Sequence, residues 1–251
     1  MGNPSVRVEG PCNLQIRNCA FERSVGNAIW IQSPEHDFVI SNCTFIDCVA
    51  RCISCQDCIG TLSIDNCLFK DNQYGCITAR QPGTLLITNT IFHNNADDVG
   101  AVALLNYGCS IVFDQCTITH NSALTGSCVY VISSSLPSGI SARNTIFSHH
   151  TGAPMIEGGY YYACGVTIQR CCFWENAEGN IVNCQTDDFP EYIEEDPQFC
   201  AHEGTDNLYL QFDSPCSPDN NNWNVLIGAL PVACGPTSIS LKTWTTLKML
   251  Y

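Results

Sequence analysis

Basic residues are scarce in this sequence. Only 10 Lys and Arg stand against 24 Asp and Glu, giving a formal charge of −14. Phosphate neutralisation needs clustered Lys and Arg, so nucleic acid and anionic membrane surfaces are excluded as partners. Long apolar runs are missing too. None approaches the ~20 residues of a membrane helix, and the first residues contain no apolar leader core, so neither membrane insertion nor targeting is expected. Met1-Gly-Asn-Pro4 runs so directly into the first repeat that the parent chain is expected to be longer.

What the chain does contain is an internal repeat. The stretch Leu62-Ser-Ile-Asp-Asn-Cys-Leu-Phe69 returns with its last residue at Phe21, Phe45, Phe69, Phe92, Ile118, Phe147 and Phe173. Seven residues before these anchors stand Leu14, Phe38, Leu62, Leu85, Ile111, Ile140 and Val166, and five before them Ile16, Ile40, Ile64, Ile87, Phe113, Ala142 and Ile168. Apolar residues at alternate positions mark a half-buried strand. Three before the anchor comes Asn18, Asn42, Asn66, Asn89 or Asn144, with Gln115 and Arg170 as exceptions. There the apolar parity switches, which means a tight bend, and Asn tolerates the left-handed backbone that such a bend requires. Gly26, Gly75, Gly100 and Gly179 each precede a further apolar segment. Three short strands per repeat bury an apolar face only by stacking. The sequence therefore predicts an all-β chain: a right-handed parallel β-helix, or solenoid, of about seven coils over residues 12–184.

Nineteen cysteines point to an oxidising compartment. Cys19, Cys43, Cys67 and Cys116 recur at one inward position, where Cys acts as a small hydrophobe. Parallel in-register side chains rarely offer the torsion of a disulfide, so free core thiols are expected in the coils and disulfides in the tail. An odd count leaves at least one thiol unpaired.

Extra residues lengthen the coils at Asp97-Asp98, Leu124-Thr125 and Ser133 to Pro137. Loops of a solenoid carry whatever binding there is. Residues 185–200 are acidic and punctuated by Pro190 and Pro197, which reads as a solvated exit from the solenoid. Beyond them come Asp196-Pro-Gln-Phe-Cys200, Asn207-Leu-Tyr-Leu210, Asp213-Ser-Pro-Cys216 and Ile227-Gly-Ala-Leu-Pro-Val-Ala-Cys234. This pattern resembles the closing segment of bacterial secreted right-handed β-helix repeat proteins of pectate-lyase-like fold. The resemblance implies that residues 1–184 form the helix, that 185–236 are a C-terminal cap over its last coil, and that 237–251 start a linker to a further domain. It also implies a secreted or cell-surface location and makes Cys200, Cys216 and Cys234 disulfide candidates. It carries over no catalytic residue.

The positions after each anchor hold the best candidate ligand site. Asp47, Asp71, Asn94, His120 and His149 stand two after it, His150 stands three after it, and Trp174 one after it. Such an outward row offers hydrogen bonds to a glycan or ligands to a metal, calcium being the ion considered. The competing reading is that Asp and Asn merely turn the chain; His is a poor turn former. Trp30, Tyr107, Tyr130 and Tyr160 to Tyr162 are available to stack on sugars, or to pack as strand residues. Asp97, Asp98 and His120 superficially resemble the catalytic set of polygalacturonase-type hydrolases, where paired carboxylates flank a water. The Gly-His-Gly, Arg-Ile-Lys and Asn-Thr-Asp contexts of that family are missing. Cys48, Cys52, Cys55 and Cys58 are the densest cysteine group and are spaced as metal ligands or as local disulfides.

The sequence thus favours a secreted or surface protein that recognises polysaccharide or adheres, without catalysis or cofactor. A polysaccharide lyase or glycoside hydrolase is the alternative. A third reading is a structural subunit that associates with its own copies through exposed strand edges at the helix ends.

Overall fold

The computed structural model describes residues 3–10, 13–32, 37–57, 59–80, 83–106, 108–132, 138–159, 164–186, 191–200 and 207–235. Alternating apolar residues form short strands, three to a coil, as Leu62, Ile64 and Phe69 do within Thr61–Asp65 and Leu68–Lys70. Each strand pairs in parallel with its counterpart one coil on. Phe38 lies opposite Leu62, and Leu62 opposite Leu85.

One face is an eight-stranded sheet running from Val6–Glu9 to Ile181–Val182; the other two strand columns form a second, bent sheet. No helix occurs among the described residues. The bend lies where the parity switch predicts it. Asn18, Asn42, Asn66, Asn89 and Asn144 hold φ between 49° and 54°, and Gln115 and Arg170 fall in the same range.

The anchors pile up inside. Phe21, Phe45, Phe69 and Phe92 stack face to face with ring centroids 4.5 to 4.9 Å apart. The fifth anchor is Ile118, which cannot continue the stack. Phe113, from the neighbouring strand, fills the gap and sets its ring nearly perpendicular to Phe92 at 6.4 Å and Phe147 at 6.0 Å. Aromatic edges favour such T-shaped contacts.

The inward cysteines have a chemical reason to be there. Cys43 and Cys67 each donate the thiol to the carbonyl two residues earlier, Ser41 and Asp65, at 3.3 Å. Thr90 and Thr145 do the same with their hydroxyls at 2.7 and 2.8 Å. The corner thus accepts any small side chain with a donor, and Cys19, Cys43, Cys67, Cys116 and Cys171 are free thiols.

Two sequence expectations need correction. The described residues hold one coil beyond the seven read over residues 12–184: Ile181–Val182, Cys184–Thr186 and Glu191–Ile193 pair onto the seventh. Acidic residues hid this coil, yet Tyr192 still turns its ring edge to Phe173 at 5.4 Å. It is also tied by a Cys164–Cys184 disulfide between in-register neighbours, Cα atoms 4.7 Å apart.

The second correction concerns the closing segment. It docks sideways on the outer flank of the later coils. The Gly228 amide donates to the Asn144 carbonyl at 2.8 Å, and the Ala229 amide donates to Thr117 Oγ1 at 2.9 Å. Gly228 holds a φ of +104°, which side chains rarely adopt, and a Cβ there would crowd Ile146 Cδ1 at 2.7 Å and Thr117 Oγ1 at 3.0 Å. Leu210, Cys216 and Ile227 pack with Ile146 and Cys172 in a small core of their own. Cys200 and Cys234 are joined by a disulfide, while Cys216, the third candidate, is a buried free thiol.

Candidate functional site

The lengthened coils build a wall. Ala96–Val99 and Ser122–Thr125 pair as a short two-stranded sheet, which a single bridge from Ser122 to Thr151 links to the next coil. Beneath it lies a hollow of about 390 Å³ lined by Gln73, Tyr74, Asp97, Asp98, Ser122 and Leu124. A second hollow, of about 580 Å³, is lined by Val25, Asn27, Val49, Arg51, Gln56, Tyr74 and Thr78. Tyr74 belongs to both and is 58% exposed, so the two form one groove along the helix axis.

An ion pair sits in the floor where the hollows meet. Arg51 Nη2 lies 2.6 Å from Asp97 Oδ2, and the Asp97 side chain is 8% exposed. Asp97 Oδ1 accepts the Asp98 amide at 2.7 Å. Burial pushes the Asp97 carboxyl above its ordinary pKa, against the opposing pull of Arg51. Arg51 Nη1 is buried with no hydrogen-bond partner among the described residues. The pair closes over Gly75, whose φ of +70° only glycine holds without strain. A Cβ there would stand 2.6 Å from Asp97 Oδ2. Tyr74 thus projects into the groove from the residue before a required glycine.

The residues two after each anchor turn the chain. Asp47, Asp71, Asn94, His120, His149 and Glu175 all hold φ between 48° and 57°. The histidines, poor turn formers as a class, are corners too. Their side chains do form a row: Asn94 Nδ2 donates to Asp71 Oδ1 at 2.6 Å, His149 lies 3.3 Å from Glu175, and the His120 ring stacks on His149 at 4.5 Å. His93 meets His120 edge-on at 5.4 Å. Burial, then the neighbouring His149 and His93, depresses the His120 pKa to about 4. Trp174 is half-buried beside this row.

The next position points inward, correcting the outward placement of His150. Asn72, Asn95, Asn121 and His150 are all buried. Asn72 and Asn95 donate to the next Asn in the row at 2.8 and 2.9 Å. His150 follows, its ring nitrogens 3.3 and 3.1 Å from the Asn121 and Ile118 carbonyls, and its amide donates to Oδ1 of Asn176, which carries the row one coil further.

The other candidates scatter. Asp97 and Asp98 share the groove, but His120 is not among its lining residues. Cys48 and Cys52 are buried free thiols, and Cys55 is disulfide-bonded, which removes it as a ligand; Cys58 lies outside the described residues. Tyr107, Tyr160 to Tyr162 and the Ser133 to Pro137 insertion also lie outside them. Among the described residues no group of three His, Cys, Asp or Glu is placed to hold a metal. Tyr74 and the Arg51–Asp97 pair escaped sequence reading because their partners sit on different coils.

Residues 2–92, the first four coils, match the family model described as "Right handed beta helix region". The solenoid is a right-handed parallel β-helix. The same registers carry this β-helix through the coils beyond the matched residues. No curated protein and no solved structure matches the chain.

Proposed function

We propose that this β-helix is an extracellular, non-catalytic module that holds an extended, uncharged polysaccharide in the groove along its flank. The observation that carries this reading is the groove itself: two hollows joined at one exposed tyrosine, with amides and hydroxyls from successive coils along the wall. A repeating polymer suits a surface that repeats at the coil spacing of about 4.8 Å. Tyrosine offers an apolar ring face to a sugar and a hydroxyl at its rim. A net charge of −14 disfavours a polyanionic glycan. The disulfides, Cys164–Cys184, Cys200–Cys234 and the one that holds Cys55, are consistent with an extracellular setting.

Geometry weighs against hydrolysis. Paired catalytic carboxylates face each other across the scissile bond, about 5 to 9 Å apart. Asp97 and Asp98 are consecutive on one strand, Asp97 half-buried and Asp98 exposed, so they line one wall of the hollow instead of standing on two facing walls. Asp97 is further committed to Arg51.

A glycan array run beside reducing-end and unsaturated-product assays on the same polysaccharides tests the proposal. Binding without turnover supports it. Turnover that disappears in an Asp98→Asn variant would replace it with the hydrolase or lyase reading.

A further inference from the structure

The closing segment is held to the solenoid by more than packing. Cys172 lies on the seventh coil, on the outward column that pairs Ile146 with Cys172 and Cys172 with Ile193. Cys216 comes from the docked segment, and both side chains are fully buried in the apolar patch they share with Ile146, Leu210 and Ile227. Within that patch the two side chains lie close enough to interact. Apart from each other they face little chemistry: Cys172 Sγ donates to the Glu195 carbonyl at 3.2 Å, and the Cys216 amide donates to Ser214 Oγ at 3.1 Å.

We propose that Cys172 and Cys216 are a cross-linking site, oxidised in the mature protein to a disulfide that fixes the closing segment to the flank of the β-helix. The neighbourhood already holds two disulfides, Cys164–Cys184 in the last coils and Cys200–Cys234 within the segment. A compartment that oxidises those also oxidises a third pair in contact.

The reaction is thiol–disulfide exchange. One thiolate attacks a small disulfide such as glutathione disulfide, and one glutathione thiolate leaves. The second cysteine then displaces the other glutathione from the mixed disulfide. Overall, two cysteine thiols lose two electrons and two protons, and one glutathione disulfide becomes two glutathione thiols. The contact between the thiols and their burial hold Cys216 protonated once docked. Exchange therefore takes place as the segment docks, before the patch closes, and the finished bond is shielded from reductant.

Cys171 provides an internal control. It is adjacent in sequence but faces inward, opposite Tyr192, and is a free thiol of the inner column.

The test is to refold the full chain in a glutathione redox buffer, block remaining thiols with iodoacetamide in denaturant, and map non-reduced peptides by mass spectrometry. A peptide pair linked through Cys172 and Cys216 is expected, retained in Cys171→Ser and lost in Cys172→Ser. Alkylation of both Cys172 and Cys216 while Cys200–Cys234 stays intact would overturn the proposal. So would linkage of Cys216 to any other cysteine.

Discussion

Asn72 donates its side-chain amide to Oδ1 of Asn95, one coil on, at 2.8 Å. The same oxygen also accepts the Asn72 backbone amide at 3.2 Å, and Asn95 in turn donates to the Phe69 carbonyl at 3.0 Å. Every group involved is buried, so removing one Asn strands polar partners on two coils. Each stranded group costs about 1 to 3 kcal/mol. Asn95→Leu is expected to lower unfolding free energy by about 3 kcal/mol or more in a urea titration, whereas Asn94→Gly, which keeps the positive φ of the exposed corner next to it, costs under about 1 kcal/mol.

The groove floor gives a second prediction. Gly75→Ala forces a Cβ against the Arg51–Asp97 pair and places a side chain at positive φ. Strain of this kind costs on the order of 1 to 3 kcal/mol. The variant is expected to unfold earlier, and a double-mutant cycle between Arg51→Met and Asp97→Asn is expected to show coupling of about 1 kcal/mol or more. Additive effects would mean that the pair contributes nothing.

Acid sensitivity follows from His150. Burial lowers its pKa to about 4, from 6.5, with the two carbonyl contacts pulling the other way. Between these values the unfolded chain binds a proton that the folded chain refuses. Stability is therefore complete above pH 6.5 and is lost as the pH falls through 4. For a fully buried group the loss is on the order of 3 kcal/mol. His120 shifts in the same direction, but it is exposed and contributes less. Urea midpoints measured from pH 7.5 to 4 check this; His150→Asn is expected to flatten the slope.

Tyr74 is the exposed aromatic shared by both hollows. Tyr74→Ala is expected to weaken glycan affinity about tenfold, or roughly 1.4 kcal/mol, with unfolding unchanged. Equilibrium titration of the array's best ligand measures it.

The repeat was legible because the coil imposes period two on apolar residues and left-handed backbone on Asn. Phe45 and Phe69, or Asn42 and Asn66, declare their adjacency by recurring. Asn66 Nδ2 indeed donates to Asn42 Oδ1 at 2.7 Å. The eighth coil was not legible, because Glu191–Ile193 keeps the strand without its apolar pattern. Neither was the inward turn of His150 and the buried asparagines. Sequence spacing gives the corner, but whether the residue after it faces core or water depends on φ at the corner itself. The groove depended on Arg51 meeting Asp97 across two coils, a pairing that no local pattern encodes.

Hydrogen exchange by mass spectrometry, with and without the bound oligosaccharide, tests the central claim most directly. An occupant of the groove touches successive coils at once, so protection should recur in segments about two dozen residues apart: around Val25, Val49, Tyr74, Asp98 and Leu124. Protection confined to one of these segments, or to residues 207–235, would contradict it.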